Sequence, residues 1–152
     1  MPTSRQEAIV TASRAMQRYQ RSVQQFDDAV GRALGLNAAD MRCLDCLSER
    51  PHTAGEISVA TGLRPAATTA LIDRLSARGL TRRVPPERDR RQVLVELTEE
   101  GAARVWEAYG PLVEHGADVF AGVGAEEIAA MSRVLERMTD LTDLHRTRIQ
   151  EG

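Results

Sequence analysis

The segment from Thr53 to Gly79 constrains the fold most, because it contains two helix starts separated by one tight turn. Thr53 and Glu56 have the spacing of a capping box, which predicts the start of a short helix. Gly62 predicts a tight turn, and Pro65 suits the first position of a longer helix, where its missing N–H would have no partner anyway. Gly79 can end that helix. A short helix, a glycine-containing turn and a longer helix form the helix-turn-helix pattern. We expect the inner face of the longer helix to consist of Ala67, Leu71 and Leu75.

A β-hairpin is predicted directly after this segment. Residues 80–84 favour a strand, residues 85–91 form a charged loop, and residues 92–97 alternate apolar and polar side chains as a second strand. A hairpin in this position relative to a helix-turn-helix is expected to form a wing. The apolar face of the second strand is predicted to consist of Val93, Val95 and Leu97.

Amphipathic helices flank the winged segment on both sides. In residues 4–34 the apolar side chains recur at steps of three and four, and Ser4 and Glu7 have capping-box spacing at the start. A helix of about 30 residues is roughly 45 Å long, which is more than a chain of this size covers by itself. We therefore expect its apolar seam to pack partly on a second subunit.

The chain is predicted to fold as one unit over residues 1–152, mostly α-helical with a small β-hairpin wing. Asn37 caps a helix to about Glu49, and Thr98 caps a helix to about Phe120. A last helix over about 126–148 again has apolar residues at steps of three and four. The predicted arrangement has dimerisation helices at about 4–34 and 99–150, and a winged-helix lobe at about 37–97.

Charge is distributed unevenly along the chain. Residues 64–91 contain eight arginines and three acids, a net charge of +5, whereas the rest contains 12 arginines and 19 acids, a net of −7. A basic segment inside an acidic protein is typical of a surface that binds a polyanion.

The longer helix of the pair is the predicted groove-reading element. Its first turn offers a guanidinium for guanine, hydroxyls for bases or phosphates, and small groups that can approach thymine. Farther along, Arg74 and Arg78 are expected to meet phosphates or to pair with acids. The arginines of the hairpin tip can enter a minor groove, and Asp89 is expected to orient one of them through a charge-assisted hydrogen bond. The predicted DNA-contacting residues are Thr53, Arg64, Ala66, Thr68, Thr69, Arg74, Arg78, Arg88, Asp89, Arg90 and Arg91.

The run LRPAATTALIDRLSARGLTRRVPPERDRRQVLVELTEEG resembles the winged-helix core of the MarR (multiple antibiotic resistance regulator) family. The family hallmark is a wing with D-x-R followed by a strand that ends in L-T-x-x-G. These motifs correspond here to residues 89–91 and 97–101, and the segments 73–75 and 79–80 also match. One departure lies at Pro65-Ala66-Ala67, where the family usually has Ser and Thr.

The resemblance implies a homodimer that binds a pseudo-palindromic operator as a sequence-specific transcriptional regulator, expected to act as a repressor. It implies Arg91 as the minor-groove arginine and Asp89 as the residue that positions it. It also implies control by a small ligand in a crevice between the dimerisation helices and the winged lobes. The aromatic residues expected to line such a crevice are Tyr19, Phe26 and Trp106.

Two alternatives keep the same fold. Cys43 and Cys46, with His52 nearby in sequence, could form a thiol- or metal-responsive site, although helix packing explains buried cysteines more simply. The fold could also serve as a protein-interaction module, against which the arginine-rich wing argues.

Other function classes find little support in the sequence. It has no glycine-rich phosphate loop, no G-x-S-x-G and no H-E-x-x-H, so we expect neither an enzyme nor a cofactor. No apolar run is long enough to span a membrane and no secretory signal is recognisable, which predicts a cytoplasmic protein.

Overall fold

The computed structural model describes residues 4–86 and 92–151. It contains six α-helices, one 3₁₀ helix and three short strands over these residues. The helices are α1 Arg5–Leu34, α2 Ala38–Glu49, α3 Ala54–Thr61, α4 Pro65–Ala77, α5 Glu99–Gly116 and α6 Ala125–Glu151, and the 3₁₀ turn is Ala117–Phe120. The strands are β1 His52–Thr53, β2 Thr81–Val84 and β3 Leu94–Leu97. The mostly α-helical class with a small wing is therefore confirmed.

The chain divides into two compact units, Met1–Ala108 and Tyr109–Gly152, with the boundary inside α5. The first unit contains α1 to α4, the sheet and the start of α5, whereas the second contains the end of α5, the 3₁₀ turn and α6. A single functional unit over the whole chain stays a prediction.

Capping side chains start the first three helices where the sequence predicts. Ser4 with Glu7, and Thr53 with Glu56, form reciprocal capping boxes at α1 and α3. Asn37 caps α2, and its partner in a third capping box is Asp40. Each box satisfies backbone N–H groups that have no partner within the helix, an effect of about 1 kcal/mol per cap.

The sheet has one strand more than the predicted hairpin. Its strand order is β1-β3-β2 and both pairings are antiparallel, with His52 opposite Val95 and Val84 opposite Leu94. The sequence analysis missed β1, because two residues are too few for an alternating pattern and Thr53 is also the N-cap of α3. The other two strands are each shorter than predicted.

One hydrophobic core holds the winged segment together. α4 contributes Thr68, Leu71, Ile72 and Leu75, which follow the spacing of a single helix face. The predicted inner face of this helix was therefore wrong at Ala67, which is exposed. The buried cluster consists of Leu36, Cys43, Leu44, Leu47, Ile57, Leu71, Ile72, Leu75, Leu80 and Val95.

The junction after the wing is closely packed through backbone atoms. The Thr98 hydroxyl donates to the Gly79 carbonyl at 2.5 Å and accepts from the Gly101 N–H at 2.9 Å, while the Thr98 N–H donates to the Leu80 carbonyl. A side chain at Gly101 would place its Cβ 2.1 Å from that Leu80 carbonyl oxygen. This geometry explains why the L-T-x-x-G motif needs both a threonine and a glycine.

The long terminal helices leave much of their apolar surface exposed. Along α6, all of whose residues are described, no residue is buried. On α1 the only buried residues are Val30 and Gly31. None of the described helices is long and apolar enough to cross a membrane. The predicted helix to Phe120 ends instead at Gly116, where the 3₁₀ turn begins.

Candidate nucleic-acid interface

The first turns of α4 present small, exposed side chains. Arg64 is the N-cap residue and Pro65 occupies the first turn. Ala66 and Thr69 are exposed, and the Thr69 hydroxyl donates to the Pro65 carbonyl at 3.1 Å. Because the opposite face of α4 is held in the core, this surface is rigid and can approach another molecule closely.

Thr68 lies on the other side of the helix, which corrects its predicted exposure to DNA. Only 1% of its surface is accessible, and its hydroxyl donates to the Arg64 carbonyl at 3.0 Å. Its spacing with Leu71, Ile72 and Leu75 could have indicated this, but threonine was taken as a surface residue because of its hydroxyl.

Arg74 and Arg78 make contacts within the protein. Arg74 forms an ion pair with Asp40, whose carboxylate is buried. Arg78 donates to the Leu34 carbonyl at 2.6 Å and to the Gly35 carbonyl at 2.9 Å. Of the two alternatives in the sequence analysis, the structure gives Arg74 an acidic partner, whereas the carbonyl partners of Arg78 were not foreseen.

Two arginines that the sequence analysis did not single out lie at the base of the wing. Arg82 on β2 pairs with Glu96 on β3 at 2.6 Å. Arg83 pairs with Asp73 at 2.7 Å and so connects the wing to α4. For Arg82 the strand register was the available signal, since it faces Glu96 directly across the strands, whereas Arg83 faces Val95 and finds its partner outside the sheet.

The tip of the wing lies outside the described residues. This segment includes four predicted contacts, Arg88, Asp89, Arg90 and Arg91. The pairing of Val84 with Leu94 fixes where the two strands enter and leave it.

Thr53 acts as a helix cap. Its hydroxyl accepts from the Glu56 N–H at 3.2 Å, and its own N–H donates to the Glu56 carboxylate at 2.8 Å. Hydrogen bonds from Arg50 and from the Thr53 backbone lower the pKa of Glu56 to about 2. Thr53 is half-buried at the start of α3, and its hydroxyl is occupied by this cap.

Known proteins resemble this chain over both the winged segment and the complete fold. The sequence profile described as MarR family matches residues 34–92. The winged segment is therefore similar to that of MarR-family proteins.

Relatives of this chain are described as helix-turn-helix regulators. It is 29% identical over 149 residues to the uncharacterized HTH-type transcriptional regulator YcgE of Bacillus subtilis, covering 97% of each chain. It is 35% identical over 91 residues to the HTH-type transcriptional repressor NicR of Pseudomonas putida, covering 59% of this chain and 57% of NicR.

Solved structures share the fold. A MarR family protein from Bacillus stearothermophilus superposes with a TM-score of 0.67 and 22% identity, covering 93% of this chain and 99% of that one. Wild-type apo MarR from E. coli superposes with a TM-score of 0.55 and 23% identity, covering 83% and 95%. These superpositions show that the chain shares the fold of MarR-family proteins, and its sequence relatives YcgE and NicR are described as transcriptional regulators.

The two cysteines of the chain lie in packed surroundings. Cys43 is fully buried in the core, and burial, together with the charges of Cys46 and Asp40, raises the pKa of its thiol to about 12. Burial and the charge of Glu49 raise the pKa of Cys46 as well. Since the thiolate is the reactive form, this environment disfavours oxidation chemistry at both positions. Among residues 4–86 and 92–151, no group of three metal-binding side chains occurs.

The three aromatic residues predicted to line a ligand crevice differ in exposure. Tyr19 on α1 is 68% exposed and Trp106 on α5 is 56% exposed, whereas Phe26 is half-buried. Tyr19 and Trp106 thus have apolar surface that is free to contact another molecule.

Proposed function

We propose that this protein is a repressor that binds a pseudo-palindromic operator as a homodimer and is released from it by a small molecule. The observation that carries the proposal is the two-sided character of α4. One face is fixed in the core by Thr68, Leu71, Ile72 and Leu75, and the other presents only small or polar groups at its start. A major groove about 12 Å wide admits such a helix.

The proposed DNA contacts lie at the start of α4 and at the tip of the wing, which is outside the described residues. Arg64, Ala66 and Thr69 would face base edges, and the wing-tip residues Arg88, Asp89, Arg90 and Arg91 would serve the minor groove. The repressor role is supported by the description of NicR, to which this chain is 35% identical over 91 residues. Binding to chromosomal DNA would place the protein in the cytoplasm.

The exposed apolar residues of α1 and α6 support a homodimer. On α1, Ile9 and Val23 remain exposed, and on α6 a stripe at steps of three and four is exposed along the helix. An unpartnered stripe of this length is costly to leave in water, at about 25 cal/mol per Å² of apolar surface. A second copy would cover it. The exposed α6 residues on the stripe are Met131, Leu135, Met138 and Leu141.

An effector is proposed on the exposed aromatic surfaces of Tyr19 and Trp106, together with the half-buried Phe26. A molecule that weakens DNA binding must, by thermodynamic linkage, bind the DNA-bound form less tightly by the same factor. The thiol-responsive alternative has less support, because burial raises the pKa of both Cys43 and Cys46.

The first experiment is selection of duplexes from a random library by the full chain. We expect enrichment of a two-fold symmetric sequence whose half-sites lie about 34 Å apart, the separation of one helical turn. The complex should contain two chains per duplex. Enrichment of no sequence would contradict the proposal, and enrichment of a single asymmetric half-site bound by one chain would contradict the dimer.

A matched pair of α6 variants tests the dimer directly. Leu135→Glu places a charge on the apolar stripe, whereas Ala129→Glu places the same charge on the opposite face of the helix, where the residue is also exposed. Sedimentation should show dissociation of Leu135→Glu at concentrations where Ala129→Glu and the wild type stay dimeric. Equal behaviour of the two variants would remove α6 from the interface.

A further inference from the structure

The corner between α1 and α2, residues 34–40, is held by two arginines of α4. Arg74 and Arg78 are one helical turn apart and therefore lie on the same side of α4. Arg74 reaches Asp40 in the first turn of α2, and Arg78 reaches the carbonyls of Leu34 and Gly35 at the end of α1. We refer to these three contact groups and the two arginines as the corner clamp.

The end of α1 requires such a partner. Gly35 is left-handed with φ 65°, and its N–H and that of Leu36 return to the carbonyls of Arg32 and Gly31. The Leu34 carbonyl points onward without a partner from the helix itself, and cations are stabilised at this negative end of the helix dipole. Arg78 satisfies it at 2.6 Å with one branch of the guanidinium and binds Gly35 with the other.

The Asp40 end of the clamp is more deeply buried. Asp40 is 2% exposed, and one carboxylate oxygen accepts from the Asn37 N–H at 3.0 Å while the other accepts from Arg74. A buried carboxylate without a cation is strongly unfavourable, so the position of Arg74 is tied to the start of α2. If the Arg74 guanidinium moved to a DNA phosphate, the buried Asp40 carboxylate would be left without a cation, which is strongly unfavourable.

We propose that Arg74 and Arg78 are positioning residues that fix the orientation of α4 relative to α1, rather than ligands of DNA phosphates. This inference rests on the proposed function, in which α1 packs in the dimer and α4 enters the groove. A change in the tilt of α1 then changes the presentation of α4 through the corner clamp. Both arginines were expected to be available to DNA from the sequence, and their contacts give them this second role.

The decisive variant is Arg78→Lys, which keeps the positive charge but loses the planar fork that spans two carbonyls. A phosphate ligand would retain most of its affinity with lysine. A positioning residue would not, and we expect binding to the selected duplex to weaken by about 5-fold or more, the usual lower range of coupling between sites. The slope of affinity against salt should stay at the wild-type value.

Arg78→Gln removes the charge and gives the complementary measurement. Loss of a phosphate contact lowers the salt slope by about 0.9 and weakens binding to an unrelated duplex equally. For a positioning role we expect an unchanged slope and unchanged binding to the unrelated duplex, with weaker binding to the selected one. Arg18→Gln is the charge control, because Arg18 is exposed on α1 and forms no ion pair with another described residue.

Asp40→Asn distinguishes the two roles by the direction in which the affinity for DNA changes. It releases Arg74 and removes one negative charge, so a phosphate-binding Arg74 would give tighter binding, whereas loss of the clamp gives weaker binding. Tighter binding, or a lowered salt slope in Arg78→Gln, would overturn the proposal.

Hydrogen exchange without DNA separates this inference from the proposed function. Amides of α4 should exchange faster in Arg78→Lys than in the wild type or in Arg18→Gln. If the wild type selects no duplex, the proposed function fails but faster exchange still supports the clamp. Unchanged exchange in Arg78→Lys overturns the clamp whatever the DNA result.

Discussion

Gly101→Ala should destabilise the protein, although alanine is normally the better residue in a helix. Gly101 lies in the first turn of α5, where replacing glycine by alanine would usually add about 0.5–1 kcal/mol of stability. Here a Cβ would lie 2.1 Å from the Leu80 carbonyl oxygen and 2.9 Å from its carbonyl carbon. Both are backbone atoms, so no rotamer change relieves the overlap.

The magnitude follows from what must move. Separating α5 from Leu80 far enough to admit a methyl group displaces the hydrogen bonds of Thr98 to Gly79 and Leu80. Overpacking of this kind costs about 1–3 kcal/mol, and loss of a neutral hydrogen bond about 1 kcal/mol more. After subtracting the helix preference, we expect a net loss of about 2–3 kcal/mol, or a midpoint lower by about 4–12 °C for a chain of this size.

The assay is thermal and urea unfolding at a fixed protein concentration, since the stability of the proposed dimer would depend on concentration. Gly116→Ala is the matched control, because Gly116 is helical with φ −60° and a Cβ there meets nothing within 4 Å. It should be neutral or stabilising by up to about 1 kcal/mol. If Gly101→Ala were as stable as Gly116→Ala, the close approach of α5 to Leu80 would be refuted.

Three further outcomes are expected. At pH 7 Cys43 in the folded protein should resist alkylation by iodoacetamide and Cys46 should react slowly, because burial raises the pKa of both thiols; rapid modification of Cys43 would contradict its buried position. The pKa of Glu56 is lowered from 4.5 to about 2, so its contribution to stability is present above pH 4.5 and is lost as the pH falls towards 2. Glu56→Gln should therefore reduce the pH dependence of the free energy of unfolding over that interval. An unaltered pH dependence would count against the Arg50–Glu56 pairing. Thr68→Val should preserve the selected operator sequence, whereas Thr69→Val should alter it, because only the Thr69 side chain is exposed; selection from random duplexes measures both, and a reversed result would place Thr68 at the DNA.

Features that depend on neighbouring residues were predictable from the sequence. The N-caps Ser4, Asn37 and Thr53 act within three positions, so their spacing alone marks where α1, α2 and α3 begin. Pro65 and Gly79 likewise frame α4, since each fixes a backbone conformation locally. These signals, together with the L-T-x-x-G motif, were enough for the winged-helix fold.

The inner face of α4 shows where local reasoning failed. Apolar character was used to choose Ala67, but the buried set begins at Thr68 and continues at steps of three, one and three. A threonine can occupy a helix interior because its hydroxyl donates back to a carbonyl one turn earlier, as Thr68 does to Arg64. Because the Thr68 hydroxyl has a hydrogen-bond partner within the helix, the side chain can be buried without leaving a polar group unpaired.

Contacts between distant segments could not be predicted from spacing. Asp40 and Arg74 are 34 positions apart, and Arg78 and Gly35 are 43 apart. Similarly, β1 exists because His52 and Thr53 happen to lie beside β3 in the fold. Such pairings follow from tertiary packing, so the sequence could indicate only that the arginines needed anionic partners, either phosphates or acids.

These distant contacts change how the charge of the winged segment acts. Of the eight arginines in residues 64–91, five lie within the described residues. Two of them are paired with Asp40 and Glu96 from outside the segment, a third with Asp73, and Arg78 is bound to carbonyls. The charge of this segment therefore divides between arginines that hold α4 and the wing in place and the proposed DNA contacts, which are Arg64 within the described residues and Arg88, Arg90 and Arg91 outside them. A salt slope well below that expected for eight phosphate contacts, at about 0.9 each, would be the signature of this division.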